Sequence, residues 1–87
     1  MEQLVSYLIR ENKKIATAES CTGGLLASRL TDISGVSSVF EMGVVSYSNR
    51  IKTELLGVSK ELLDSVGAVS EEVAKEMSKG VCKRADA

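Results

Sequence analysis

The sequence predicts a small mixed α/β sandwich in which helices pack on a short sheet. Two segments rich in β-branched and aromatic residues, KIATAES and VSSVFEMGVVSYS, are typical of strands. The stretches before, between and after them repeat apolar residues at helical spacing. Helix, strand, helix, strand and further helices in that order is an α/β pattern. At 87 residues, the chain is expected to form one domain over residues 1–87.

The first two helices are predicted from apolar stripes and end signals. MEQLVSYLIREN carries apolar residues on one helical face. These are Met1, Leu4, Val5, Leu8 and Ile9. The second helix is predicted over GLLASRLTDISG, with its leucines on one side and Gly35 as its stop. The two strands therefore each follow a helix, and the second strand is expected to begin just after Gly35.

Serines mark the starts of the helices that follow the second strand. Ser48, or the residue after it, is positioned to cap a helix over NRIKTELLG. Ser59 caps a further turn or two, and Ser70 caps the last helix, EEVAKEMSKGVCKRA. Val69 and Ala74 have the spacing of a weak hydrophobic staple at the start of that last helix.

A sheet of two strands has unpaired edges on both sides, which proteins normally cover or pair. The chain also stops where an α/β fold would begin its next strand. We therefore expect either a domain that is incomplete in this chain or one completed by association, and a homo-oligomer is the expected assembly.

Composition and charge exclude several classes of protein. The formal net charge is -1 and no basic run is present, so neither nucleic acid nor a membrane surface is an expected partner. No apolar run approaches the roughly 18–20 residues needed to span a bilayer, and the N-terminal segment carries acids where a secretory signal carries bases. A cytoplasmic location is expected. With two distant cysteines and no histidine, we expect free thiols and no metal or other cofactor.

The stretch TAESCTGG places three potential nucleophiles side by side: Ser20, Cys21 and Thr22. Gly23 and Gly24 follow, so the strand enters the next helix through a glycine turn. The first N–H groups of that helix are then expected to be free to bind phosphate or stabilise an oxyanion. An ordinary helix N-terminus is the alternative interpretation. The stretch matches neither a Walker loop nor a GxGxxG dinucleotide turn.

Because the chain has no histidine, a base for Ser20 has to be a lysine, a tyrosine or a carboxylate. The segment YSNRIK offers Tyr47 at the end of the second strand and Lys52 one helical turn beyond. If the strands are parallel, this segment and the glycine turn share the sheet end at which α/β proteins bind ligands. Ser–Lys pairs are known catalytic variants. The alternatives are a solvated surface lysine and a strand-end tyrosine with its hydroxyl in water.

Two side chains beside Ser20 have more than one possible role. Cys21 competes with Ser20 as nucleophile, although a small buried apolar residue is the favoured role for it. Glu19 either orients a lysine or a ligand hydroxyl, or caps the turn. Cys82, on the last helix, is expected to be packed.

AESCTGG together with YSN and Lys52 resembles the CinA C-terminal domain family, and the resemblance continues through VGAVSEEVAKEMSKG. It covers essentially the whole chain. Enzymatically characterised members of that family are nicotinamide-nucleotide amidases, which hydrolyse nicotinamide mononucleotide to nicotinate mononucleotide and ammonia. The resemblance implies a small-molecule nucleotide substrate, with Ser20 as nucleophile, Lys52 as its base and Tyr47 beside them. It places the substrate-binding positions at Glu19, Thr22, Gly23, Gly24 and Asn49.

The family domain continues into a second half, with a further strand and a glycine-rich loop of the TGIAGP type that helps to form the substrate pocket. No such loop is present in these 87 residues. The alternative function is therefore a catalytically silent module that oligomerises or binds a nucleotide.

Overall fold

The computed structural model describes residues 1–87 and places five α-helices and one short 3-10 helix around a two-stranded parallel sheet. The elements follow in the order α1 (Glu2–Arg10), β1 (Ile15–Glu19), α2 (Leu25–Thr31), the 3-10 helix (Val36–Ser38), β2 (Phe40–Val45), α3 (Asn49–Leu56), α4 (Lys60–Val66) and α5 (Glu71–Ala85). The register runs from Ile15 opposite Phe40 to Glu19 opposite Val45. None of the helices combines the length and the apolar composition that a membrane span requires.

Each face of the sheet carries its own apolar core. On one face, the buried residues come from α1, α2 and the segment before β2, and they pack against Ile15 and Phe40. On the other face, α3, α4, α5 and their connections supply the buried residues, which pack against Ala16, Ala18 and Val44. The alternation of side chains along β1 divides the two cores. The predicted α/β class, with helices packed on a short sheet, is confirmed.

The predicted start of the second strand is wrong. Val36–Ser38 forms a 3-10 helix, preceded by Gly35 at φ 85°, and β2 begins only at Phe40. Val36 and Val39 are both buried in the core beside α1. Their spacing of three residues fits the 3-10 turn, so their β-branched side chains serve packing and do not extend the strand.

The serine caps are confirmed, whereas the staple is not formed. The hydroxyls of Ser48, Ser59 and Ser70 each accept a hydrogen bond from the backbone N–H three residues later, at the starts of α3, α4 and α5. Val69, however, is 98% exposed and cannot pack on Ala74. The chain therefore enters α5 with its hydroxyl cap alone.

The apolar stripe of α1 is only partly used. Val5 and Leu8 are buried in the core. Met1, Leu4 and Ile9 belong to the same predicted stripe, yet they remain between 42% and 48% exposed.

Candidate functional site

The parallel sheet brings the two candidate segments to the same end. Glu19 and Val45 are the last residues of β1 and β2, and they lie opposite each other. Beyond the strands, the backbone N–H of Ser46 donates to the carbonyl oxygen of Glu19 at 2.8 Å. Ser20 and Tyr47 directly follow this bonded pair. The carboxyl ends of parallel strands are where α/β proteins bind ligands, so this end of the sheet is the candidate site.

The glycine turn has the tight geometry that the sequence indicates. The N–H of Gly23 donates to the carbonyl oxygen of Ser20, and the N–H of Leu25 donates to that of Thr22, both at 3.3 Å. Gly23 and Gly24 have φ values of 64° and 105°, which side chains with a Cβ rarely adopt. These two glycines therefore shape the turn that holds Ser20, which is half-buried at its start.

Glu19 ties the turn to α2. Its side chain is only 6% exposed. The carboxylate accepts hydrogen bonds from the Thr22 hydroxyl at 2.8 Å, the Leu26 N–H at 2.7 Å and the Ala27 N–H at 3.1 Å. Of the two roles that the sequence leaves open, the structure shows the cap: both carboxylate oxygens are engaged by the turn and the first turn of α2.

These contacts also decide the pKa of Glu19. Burial of the carboxyl group favours its neutral form and by itself raises the pKa. The N–H groups of Leu26 and Ala27, together with the Thr22 hydroxyl, stabilise the ionised form more strongly. The pKa of Glu19 therefore lies below its ordinary value of 4.5. The positive end of α2 supports the same ionised state.

This lowered pKa predicts an acid-sensitive fold. In the unfolded chain, Glu19 returns to its ordinary pKa, so its stabilising effect is fully present above pH 4.5 and is lost as the pH falls through the lower pKa of the folded state. Glu19→Gln, which resembles the protonated side chain, is expected to lower the urea midpoint near neutral pH. The difference in urea midpoint between Glu19→Gln and the parent protein should become smaller in acid. A difference that stays constant across the acid range would contradict this role of Glu19.

The donors available for an oxyanion differ from those that the sequence predicts. The N–H groups of Leu26 and Ala27, in the first turn of α2, are occupied by Glu19, so the expectation that the first helical N–H groups are free is wrong. The N–H groups of Cys21, Thr22 and Gly24 make no hydrogen bond within the chain. These turn amides are the donors that remain open to a ligand.

A cavity of about 450 Å³ lies beside the turn. The segment 19–22 lines one side of it, and the α4–α5 connection with the start of α5 lines the other. Cys21 is exposed and its thiol is free, so its predicted burial is wrong. Cys82 is likewise a free, exposed thiol, contrary to the packed role expected for it. Both cysteines lie outside the two apolar cores.

Lys52 is buried, with 1% of its surface exposed, so the interpretation as a solvated lysine is wrong. Its Nζ donates to the carbonyl oxygen of Tyr47 at 3.2 Å, and no carboxylate forms an ion pair with it. The Tyr47 side chain itself is 74% exposed. Burial without a carboxylate partner is unusual for a lysine and favours a functional role, since structural ion pairs do not explain it.

The predicted residues are not all joined in one cluster. Lys52 Nζ is bonded to Tyr47 and not to Ser20 Oγ, and neither Tyr47 nor Lys52 lines the cavity beside Ser20. Asn49, the first residue of α3, lines a different cavity between α3 and α4. The structure thus places Ser20 and the Lys52 contact at the same sheet end, without a direct hydrogen bond between them.

Sequence reasoning misses Ser46, which connects the two segments. Ser46 is fully buried. Besides the backbone hydrogen bond to Glu19, its hydroxyl lies 3.4 Å from the same carbonyl oxygen. In the sequence, a polar residue directly after the apolar pair VV indicates such a contact at the strand end. The sequence does not identify the partner of that contact.

A two-stranded parallel sheet with helices on both faces, and a glycine turn, a cavity and a buried lysine at its carboxyl end, defines a small α/β domain with a candidate site at that end. The chain belongs to the CinA C-terminal domain family, whose model matches residues 1–87. It is 56% identical to a CinA-like protein of Chlorobium limicola over 88 aligned residues, covering 100% of this chain and 20% of that protein.

Solved structures show the same fold. A CinA superfamily protein from Escherichia coli has a TM-score of 0.95 and 41% identity, over 99% of this chain and 50% of its own. The competence/damage inducible protein CihA from Agrobacterium tumefaciens has a TM-score of 0.93 and 41% identity, over 98% of this chain and 52% of its own. The chain therefore spans one half of the solved relatives and a smaller share of the curated ones.

Proposed function

We propose that this chain carries the nucleophile and base of a nicotinamide-nucleotide amidase site, which hydrolyses nicotinamide mononucleotide to nicotinate mononucleotide and ammonia. The observation that carries the proposal is that the Ser20 turn lies at the same sheet end as the Tyr47 carbonyl, to which the buried Lys52 is hydrogen-bonded. Membership of the CinA C-terminal domain family is consistent with the resemblance from which these residue roles were inferred.

The proposed reaction has two steps. Ser20 Oγ attacks the carboxamide carbon, Lys52 takes the hydroxyl proton, and the turn N–H groups of Cys21 and Thr22 hold the oxyanion. Lys52 then gives the proton to the departing nitrogen. Ammonia is released, and the acyl group remains on the serine as an ester. Water hydrolyses that ester to nicotinate mononucleotide and restores the Ser20 hydroxyl.

One rearrangement is required for this reaction. Lys52 Nζ has to come within hydrogen-bond reach of Ser20 Oγ, since a base works only within that distance of its proton, and it can keep an N–H on the Tyr47 carbonyl. Catalytic hydrogen bonds often tighten only when substrate is bound, so the resting contact is compatible with the role. The cavity of about 450 Å³ beside Ser20 lies within the size range of small-molecule sites.

The test uses an extended protein, in which the chain is joined at its C-terminus to the second half of the E. coli relative. The measurement is ammonia release from nicotinamide mononucleotide by this extended protein. We expect ammonia and nicotinate mononucleotide in equal amounts. Cys21→Ala should retain turnover, because the thiol is not required when Ser20 is the nucleophile. An extended protein that is folded and binds the nucleotide, but releases no ammonia, would overturn the proposal.

That outcome would favour the second candidate, a catalytically silent module that binds a nucleotide or self-associates. The observation on its side is that no hydrogen bond joins Lys52 Nζ to Ser20 Oγ in the present geometry.

A further inference from the structure

The hydroxyl group of Thr22 has its single proton committed within the chain. It donates to Glu19 Oε1 at 2.8 Å. Glu19 is ionised near neutral pH, because its pKa lies below the ordinary value, and an ionised carboxylate can only accept hydrogen bonds. A hydroxyl group has one proton to donate and two lone pairs that accept. Toward any further partner, Thr22 Oγ1 therefore acts as an acceptor.

The Glu19 carboxylate is fixed so that it cannot turn away from Thr22. The N–H of Leu26 donates to the same Oε1, at 2.7 Å, and the N–H of Ala27 donates to Oε2 at 3.1 Å. The Glu19 side chain is buried, and hydrogen bonds to an ionised group are stronger than those between neutral groups. Redirecting the Thr22 proton to a ligand would remove one of the three donors that stabilise this buried charge, so the proton stays on Glu19.

Thr22 is also open to the cavity beside Ser20. The residue is exposed, and it lines the cavity of about 450 Å³ together with Ser20. The backbone N–H groups of Cys21 and Thr22 make no hydrogen bond within the chain. Within two residues of Ser20, the turn therefore offers a ligand both N–H donors and one hydroxyl oxygen that accepts.

We propose that Thr22 Oγ1 accepts a hydrogen bond from the NH₂ group of a primary carboxamide and thereby makes the site prefer an amide to the corresponding acid. This inference rests on the proposed function and states how that site distinguishes its substrate from its product. The turn N–H groups can bind an oxygen atom of either compound. Only the amide has an N–H to offer to Thr22.

The acid product fits the same position poorly. The carboxylate of nicotinate mononucleotide has no proton near neutral pH, so it would place an acceptor against the acceptor Thr22 Oγ1. The ionised Glu19 lies directly behind that hydroxyl and adds repulsion between like charges. A site that hydrogen-bonds one group of its substrate rejects an analogue that lacks this group, because its own polar atom is then left without a partner.

Binding of the two nucleotides to an inactive form of the extended protein tests the proposal. Ser20→Ala prevents turnover, so calorimetric titration gives the Kd of nicotinamide mononucleotide and that of nicotinate mononucleotide separately. In this background, we expect Thr22→Val to weaken binding of the amide by about 3- to 10-fold, the usual effect of one hydrogen bond. Binding of the acid should be unchanged or tighter. Thr22→Ser keeps the hydroxyl group and should retain the preference for the amide.

A matched control is Thr31→Val, which removes an exposed threonine hydroxyl at the end of α2. It should leave both affinities unchanged. An equal loss of affinity for both nucleotides in Thr22→Val would restrict Thr22 to holding the turn and would overturn the proposal. Two unchanged affinities would overturn it as well.

The same measurements separate this inference from the proposed reaction. Ammonia release by the extended protein, with the preference for the amide intact in Thr22→Val, would overturn the inference alone. A preference that depends on Thr22 in an extended protein that releases no ammonia would support the inference and contradict the reaction. Absence of binding of either nucleotide would overturn both.

Discussion

Replacing Lys52 with methionine is expected to reduce ammonia release from nicotinamide mononucleotide on the order of 10²–10⁴-fold, the usual contribution of a general base. Methionine fills a similar buried volume without an amine, so it removes the proposed base with little change in packing. The loss should therefore appear in the rate, measured with the extended protein, and not in the urea midpoint.

Two further variants make the Lys52 result specific. Lys52→Arg retains a long nitrogen-bearing side chain, but its guanidinium cannot give up a proton near neutral pH, so it should also be inactive. Lys60→Met removes an exposed lysine at the start of α4 and should leave the rate unchanged. A Lys52→Met protein that releases ammonia within about twofold of the parent rate would exclude Lys52 as the general base.

The largest expected effect on stability comes from Gly80→Ala. Gly80 lies within α5, where alanine would ordinarily stabilise the helix by about 0.5–1 kcal/mol. Here a Cβ atom on Gly80 would overlap the backbone carbonyl of Leu56, at the end of α3. Backbone atoms cannot swing aside as a flexible side chain can, so α3 and α5 would have to separate.

That separation would open the core formed by Leu56, Val73, Met77 and their neighbours. We expect a loss of roughly 3 kcal/mol or more in the free energy of unfolding, measured by urea titration. Ser78→Ala, at an exposed position of the same helix, is the control and should be nearly neutral. An increase in stability for Gly80→Ala would show that the close helix contact is not present in solution.

Local signals in the sequence predicted local structure well. The caps at Ser48, Ser59 and Ser70 were predictable because a serine hydroxyl bonds an N–H only three residues away. The start of β2 was not predictable, because Val36 and Val39 are of a residue type typical of strands but pack at helical spacing. Packing between distant elements, which decides such cases, leaves no short-range pattern.

The candidate site shows the same division. The glycine turn and the position of Ser20 at a strand end were predictable from TAESCTGG, since both are local properties of the chain. The burial of Lys52 was not predictable from spacing, because a lysine on a helix is usually solvated. The capping role of Glu19 was also not predictable, because its carboxylate reaches the N–H groups of Leu26 and Ala27 only once the turn has closed.

Ammonia release by the extended protein, with Ser20 or Cys21 replaced, decides which of these two adjacent side chains attacks the amide. We expect Cys21→Ala to release ammonia at close to the parent rate, and Ser20→Ala to fall to background while still folding. Turnover that survives in Ser20→Ala and disappears in Cys21→Ala would contradict the assignment of Ser20 as the nucleophile.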